Sequence, residues 1–423
     1  MISIASLARF ICIVCLASSV NAQQLWVVDD DGPGDFVDVK DAVLAASDGD
    51  TILVSEGSYS PFVIDNKSLT IQGIGLPTIS AVGVFSAATP SITVKNLATQ
   101  QEVHLSGLRT QSLLVFELEN IVLDQCEGSV TFEHCDFALS SGESVVLTDC
   151  ASVTFVDCLL FASPTFPSTA GSQFLAHVPY DGIIAVDTNL FLYDCEVRGS
   201  EGADGHSQLF TNFPPGPAGA GLSLRGSSLF ASGCTFIGGN AGGDPGQFCE
   251  QAQDGQPALE VGPSFATAFS SAELIDCVSI GGTGGVGGCG MPNGVDAPAQ
   301  FVSAGSTLFV HPGIARSLDI SSPNTQDSHT FIRVEGAPGD RALLFFSPLA
   351  SPGIKTPGLP TVLHLGLPAS TFALGKIPAS GFFERALATP SVVGHQLIFT
   401  QLVSIDSMGT IFTSGPNTVL FIP

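Results

Sequence analysis

IVLDQCEGSVTFEHCDF (residues 121–137) and VVLTDCASVTFVDCLLF (145–161) are one segment written twice. Cys126 matches Cys150 at a spacing of 24, and Cys135 matches Cys158 at 23. Self-similarity at such a period is the mark of a solenoid, in which each coil buries its inner face only by stacking on the next. The second half of the unit recurs as LFLYDCEVRGS (190–200), LFASGCTFIGG (229–239) and AELIDCVSIGG (272–282). Between Cys158, Cys195, Cys234 and Cys277 the interval grows to 37, 39 and 43. The added residues fall in runs rich in glycine and proline, such as EGADGHSQLFTNFPPGPAGAG (201–221) and GGNAGGDPGQFCEQAQDGQPA (238–258). Each interval reads as one coil plus a surface loop of about 15–20 residues, all leaving from one corner. These loops span 196–221, 237–258 and 280–300. Equivalent positions then stack about 4.8 Å apart. The repeat cysteines are expected to form one inward file, and Phe155, Phe191 and Phe230 another.

Nine of the eleven cysteines lie beyond residue 22. Seven (126, 135, 150, 158, 195, 234 and 277) occupy repeat positions between apolar residues, where cysteine packs as a small hydrophobe. The CxxC-type spacings of zinc sites are missing from them. Cys249 and Cys289 instead sit in the glycine-rich loops of consecutive long coils, where a cross-link compensates for the lack of a core. They are expected to form a disulfide, with two separate free thiols as the other reading.

The stack needs a cover at its first coil, and the N-terminal region supplies one. Val39, Ala42, Val43 and Ala46 fall on one face of a short helix, with Asp38 placed to cap it and Asp41 three residues on. Gly49-Asp50 turns the chain into TILVSEGSY, and Leu69-Thr70-Ile71 begins another strand. This order resembles the start of the pectin methylesterases and of the wider pectin-lyase-like superfamily. The resemblance rests on Gly34-Asp35-Phe36, Ala42-Val43, Gly49-Asp50-Thr51-Ile52, Gly57, Tyr59 and Leu69-Thr70-Ile71-x-Gly73. It implies a right-handed parallel β-helix whose N-terminal end is capped by the helix near 38–46, with coils from about 50 to 312.

Residues 1–22 carry one positive charge (Arg9), an apolar run FICIVCLASSV and the small-residue site Val20-Asn21-Ala22. That is the form of a signal peptide, so the protein is expected to be secreted or at the cell surface, in an oxidising compartment. The run is too short to span a bilayer. Charged residues make up 12% of the chain and hydrophobic ones 44%, with 47 glycines and 27 prolines. Such a balance suits an all-β protein with many turns. A net charge of −26 opposes binding to nucleic acid or anionic lipid, and no membrane insertion is expected. After about Gly313 the cysteines and glycine runs stop. SLDISS, HTFIRVEG, ALLFFSPL, TVLHLGL, HQLIFTQLVSID and NTVLFIP read as short strands at sandwich spacing. The expected organisation is a signal peptide at 1–22, a β-helix at 23–313 and a β-sandwich-like domain at 314–423. Irregular continuation of the coils is the alternative for that last part.

Candidate chemistry is sparse. The residues preceding the repeat cysteines are His134, Asp157, Asp194, Gly233 and Asp276. If the cysteines face in, these face out, and Asp157 and Asp194 become neighbours. A carboxylate pair can serve a glycosidase or hold calcium, while Asp before a bend is also ordinary turn chemistry. Arg198, four residues past Asp194, is the nearest cation to such a pair; no other cofactor is implied. The motifs of the resembled enzymes are incomplete. Asp136-Phe137-Ala138-Leu139 lacks the glycine of the pectin methylesterase segment, and Gly182-Ile183-Ile184-Ala185-Val186 lacks the glutamine of another. No Arg-Ile-Lys of the polygalacturonases occurs, and the lyase base, an Arg or Lys, has only Arg198 and Arg225 as candidates at the long-loop corner. Two functions follow. One is a structural and binding module for polysaccharide or extracellular matrix; the other is a carbohydrate-active enzyme, a polysaccharide lyase, esterase or glycoside hydrolase. One Trp and three Tyr provide few sugar-stacking platforms, which favours the module.

Overall fold

The computed structural model describes residues 23–81, 89–112, 119–139, 142–162, 179–208, 211–213, 215–244, 249, 251–264, 268–325, 329–355, 361–389 and 395–422. The signal-peptide segment 1–22 lies outside them. One compact unit spans Trp26–Pro312, and a second contains Gly313–Pro423.

The first unit is a right-handed parallel β-helix with three sheets. Sheet 1 has ten strands, from Leu25–Val28 to Thr307–His311. Sheet 2 has eight, ending on Val278–Ile280, and sheet 3 has eight, ending on Gln300–Val302. Each coil crosses sheet 3, then sheet 1, then sheet 2. The repeat seen in the sequence is the register of sheet 1, where Val130 pairs with Val153 and Phe132 with Phe155. Alternate residues of these strands fill the prism, and the Phe132 and Phe155 rings stack 4.8 Å apart at 6°. Helix Val39–Ala45 buries Val39, Ala42 and Val43, and Asp38 accepts the Lys40 N–H as its cap. At the other end of the helix, Lys67 Nζ donates to the carbonyls of Val43 and Ala46 at 2.9 and 2.6 Å, answering acceptors that a helix terminus leaves open.

One expected file is corrected. Phe155 aligns with Leu192, not Phe191, so it belongs to the inward file of Phe132. Phe191 pairs with Phe230 and Thr154, on the outward face of sheet 1. Alternation makes a one-residue slip a change of face, and the repeated "LF" in 190–191 and 229–230 is displaced by one from the "TF" of 154–155.

The free cysteines form two inward files. In one, the thiols of Cys135, Cys158, Cys195, Cys234 and Cys277 donate to the carbonyl two residues back, at 3.2–3.4 Å. In the other, Cys126 and Cys150 are followed by Thr188 and Ser227, whose hydroxyls make the same contact to Val186 and Arg225. The thiol is therefore a hydrogen-bond donor at a bend as well as a packing group.

The long insertions all leave between sheets 2 and 3. They run outward over 199–205, 238–244 and 281–288 and return over 215–221, 252–258 and 293–299, without strand pairing. Every third N–H of one outbound arm meets the next: Gly199, Gly202 and Gly205 donate to Ile237, Asn240 and Gly243, and Gly238, Ala241 and Asp244 to Ile280, Thr283 and Val286. A second set crosses between layers, with Gly239 and Gly242 donating to Gly219 and Gly216, and Gln256 and Gln253 to Gly239 and Gly242. The third set reaches side chains, Asn240 N to Glu201, Gly243 N to Asp204 and Thr283 N to Asn240. A threefold repeat with lateral bonding is that of packed polyproline II helices. Glycine is required at the closest approaches: a β-carbon on Gly239 would overlap the Ser200 carbonyl, and one on Gly282 that of Gly239. What the sequence presents as loops is an ordered bundle. Cys249 and Cys289 close it with a disulfide, Cα atoms 4.7 Å apart.

Among its described residues the second unit has a three-stranded sheet, a five-stranded sheet and a two-stranded hairpin, all paired antiparallel except the edge strand Asn324–Thr325, which runs parallel to Ile411–Ile422. Leu318, Ile332, Val334, Leu344, Leu402 and Val419 are among the residues of its core. The antiparallel pairing replaces the alternative of continued coils with a sandwich-like domain. Arg316 is buried there against Asp340 and Ser404, an ion pair whose desolvation is offset by several hydrogen bonds.

Candidate functional site

In the five coils with a repeat cysteine at this corner, the bend from sheet 1 to sheet 2 is made by a single left-handed residue. His134, Asp157, Asp194 and Asp276 have φ of 50–53°, and Gly233 has 70°. Aspartate and glycine tolerate this region best. Four of their N–H groups donate to the coil above: His134 to Val156, Asp157 to Tyr193, Asp194 to Ser232 and Gly233 to Ile275, all at 2.9–3.0 Å. Their side chains therefore stand in file along an outward edge of the prism. Asp157 is engaged by His134, Nδ1 to Oδ2 at 3.0 Å, with both side chains open to solvent.

Sheet 2 continues from this edge. Arg109, Asp136, Leu159, Glu196 and Thr235 share one outward file, and Phe161, Arg198 and Ile237 the next. Arg109 Nε meets Asp136 at 3.0 Å. The Arg198 guanidinium meets Glu196 at 2.6 Å and lies over the Phe161 ring, 4.9 Å from its centre. The surface thus combines an acidic edge, two paired guanidinium groups and one aromatic face, next to the roots of the bundle. Planar carboxylates and guanidinium groups can hydrogen-bond vicinal hydroxyls in pairs, and a ring face can take a sugar's apolar side.

Several groups were not singled out by the sequence. On the outward face of sheet 1, His104 and Glu133 are buried, 3.6 Å apart. Burial, and then the charge of His134, pushes His104 down to about 3, so it is neutral near pH 7. Tyr193, on the same face, is raised well above its ordinary value by burial. At the foot of the bundle, Asp181 accepts the Ala220 N–H at 2.7 Å. Burial pushes it up to about 7, with Glu260 and Glu143 adding to the rise against Arg225. These groups mark polar residues at alternate strand positions, a pattern that appears only once the register is known. Asp29, Asp30 and Asp31 lie within 4.8 Å of one another, a spacing that could hold a cation. Asp30 also accepts the Ser58 N–H at 2.9 Å and Asp29 that of Asp31 at 3.3 Å.

No protein-family model and no curated protein matches the sequence. Solved structures with a similar chain course include ORF18 of Geobacillus virus E2, 10% identical over 90% of this chain and 72% of that one, TM-score 0.33. Pectate lyase Pel9A is 11% identical over 68% of this chain and 82% of its own, TM-score 0.28. Full-length tailspike protein 2 of Escherichia coli O157:H7 bacteriophage CAB120 is 11% identical over 87% of this chain and 62% of its own, TM-score 0.30. The likeness is one of fold alone.

Proposed function

We propose that the protein is an exported binding and structural module, presenting its glycine-rich bundle and the adjoining face of sheet 2 to polysaccharide or cell-surface matrix. The observation that carries this reading is the bonding of three long insertions into one cross-linked platform. A surface ordered in advance loses little conformational entropy when it binds. Export is supported by the signal-peptide form of 1–22 and by the disulfide, which an oxidising compartment maintains. The acidic net charge of −26 makes an uncharged glycan, or an anionic one bridged by cations, the fitting partner.

The second reading is a carbohydrate-active enzyme using Asp157, Asp194 and Arg198. It is favoured by the His134–Asp157 pair, an arrangement capable of accepting a proton. Against it, Arg198 is held by Glu196 and Phe161, and the file of aspartates stands on an outward edge. A glycan array run beside reducing-sugar and unsaturated-uronide assays separates the two. Binding without cleavage is the expected result, unchanged in Asp157→Asn/Asp194→Asn. Cleavage by the wild type that disappears in a folded double variant replaces the module with an enzyme.

A further inference from the structure

We infer that the cysteine files inside the β-helix bind soft monovalent metal ions, cuprous or silver, each held in line between the sulfurs of two successive coils. The long file runs Cys135, Cys158, Cys195, Cys234 and Cys277, and the short one is Cys126 and Cys150. Register fixes the long file from both sides. Glu133, Val156, Tyr193, Ser232 and Ile275 pair in sheet 1, and Asp136, Leu159, Glu196, Thr235 and Val278 pair in sheet 2. Each cysteine therefore lies over the last, one coil apart. Neighbouring thiols also meet directly. Cys158 hydrogen-bonds with Cys135 and Cys195, Cys234 with Cys195 and Cys277, and Cys126 with Cys150.

Spacing selects the coordination. A thiolate–metal bond is about 2.3 Å long, so a linear bridge from sulfur through metal to sulfur spans about 4.6 Å. Adjacent coils are about 4.8 Å apart. A tetrahedral ion needs four donors around one centre, and a single file offers two to each gap, which disfavours zinc. Soft ions such as Cu(I), which thiolates select, accept two donors in line. The bend itself does not require sulfur. In the short file Thr188 and Ser227 follow the cysteines, and their hydroxyls make the same contact to the carbonyl two residues back. Being hard oxygen donors, they also end that file as a path for soft ions.

Charge is conserved in the exchange. Cys135, Cys158, Cys195 and Cys234 are at most 2% exposed and lie in the apolar core, where an uncompensated ion is costly. Each bound monovalent ion displaces one thiol proton to solvent, so the charge of the file does not change. The five sulfurs of the long file leave four gaps. Four ions and one remaining proton therefore fill it with no net charge. The pair Cys126 and Cys150 takes one ion by the same exchange and also keeps one proton.

Silver and, without oxygen, cuprous ion are titrated into the mature, disulfide-bonded chain and counted by native mass spectrometry. Five ions should bind, each with loss of one proton. The thermal midpoint should rise, because the folded state is the one that binds. Position then separates a file from independent thiols. Cys195→Ser cuts the long file into two pairs and should lower the capacity from five ions to three. Cys277→Ser shortens the file at one end and should lower it to four. Cys158→Ser, also interior, should leave three and replaces Cys195→Ser if circular dichroism shows that variant unfolded. Equal losses from interior and end variants overturn the proposal. Binding that lowers the thermal midpoint overturns it too, since the ions then sit on unfolded chain. So does a wild-type capacity no greater than that of the variant with all seven free cysteines changed to serine.

Discussion

Between Leu222 and Ala258 the chain stacks on itself in two ways. In sheets 1, 2 and 3 the coils are held by inward side chains, so Leu224, Leu229, Phe236 and Leu259 are all buried in one core. In the bundle the same coils meet backbone to backbone, and a side chain at Gly239 or Gly242 would overlap a carbonyl of the neighbouring arm. The first region depends on what its side chains fill; the second depends on their absence. Burial of apolar area drives the one, while the other gains from the pairing of N–H groups between its arms.

Opposite substitutions should break the two regions separately. Phe132→Ala leaves a cavity between stacked rings and is expected to cost about 3–5 kcal/mol, seen as a global shift in denaturant midpoint. Gly239→Ala is expected to cost about 1–3 kcal/mol by overpacking, felt locally. Hydrogen exchange should quicken over 199–205, 238–244 and 281–288 while the strands keep their protection. Equal loss of protection in strands and arms would mean that the bundle and prism unfold as one, and the distinction drawn above would not hold.

The boundary between the regions carries a pH signature through Asp181. Its folded-state pKa is raised from 3.8 to about 7, chiefly by burial, so the folded chain retains a proton that the unfolded chain releases. Stability from this group is therefore fully present below about pH 4 and is lost as pH rises towards 7. Asp181→Asn keeps the acceptor for Ala220 N–H without the buried charge. It should be more stable than the wild type by about 1 kcal/mol at pH 8 and no more stable at pH 4. Thermal midpoints at the two pH values decide it, and a variant less stable at pH 8 rules the account out. The smallest effect is expected within the cysteine file. Cys195→Ser keeps a donor to the Tyr193 carbonyl, as Thr188 and Ser227 do in the other file, and should cost about 1 kcal/mol or less. Cys195→Ala removes the donor and should cost more; the reverse order in chemical denaturation would show that the thiol only packs.

The β-helix could be read from the sequence because its coils repeat in both spacing and residue type. The matched pairs Cys126/Cys150 and Cys135/Cys158 are register, and Val39, Ala42 and Val43 could bury their face only over an open end. The phenylalanine file was misplaced because Phe191 and Phe155 share a residue type but not a phase, and phase decides the face. The bundle was read as loops for a related reason. Its signal is a period of three in glycine, as at 199, 202 and 205, at 239 and 242, and at 282 and 285, and it is obscured by prolines that also mark turns. The aspartate file was legible as a file, since each residue precedes a repeat cysteine. Its chemistry was not, because the partners His134 and Glu196 come into contact only across coils or along a strand face. His104 and Glu133 are buried and Asp181 half-buried, by cover from distant parts of the chain for which local sequence has no mark.

Each long coil is a complete unit of growth. Asn189 to Ser228 is 39 residues and Asn240 to Thr283 is 43, and either interval adds a rung to all three sheets and two helices to the bundle together. A tandem duplication of such a stretch in the gene would insert a whole storey, with its own glycines already in place, and leave the storeys above and below in register. An insertion inside a strand would shift it out of phase, whereas arms of unequal length, as in the intervals of 37, 39 and 43, leave the register intact. The reach of the platform can therefore change without redesign of the prism that supports it.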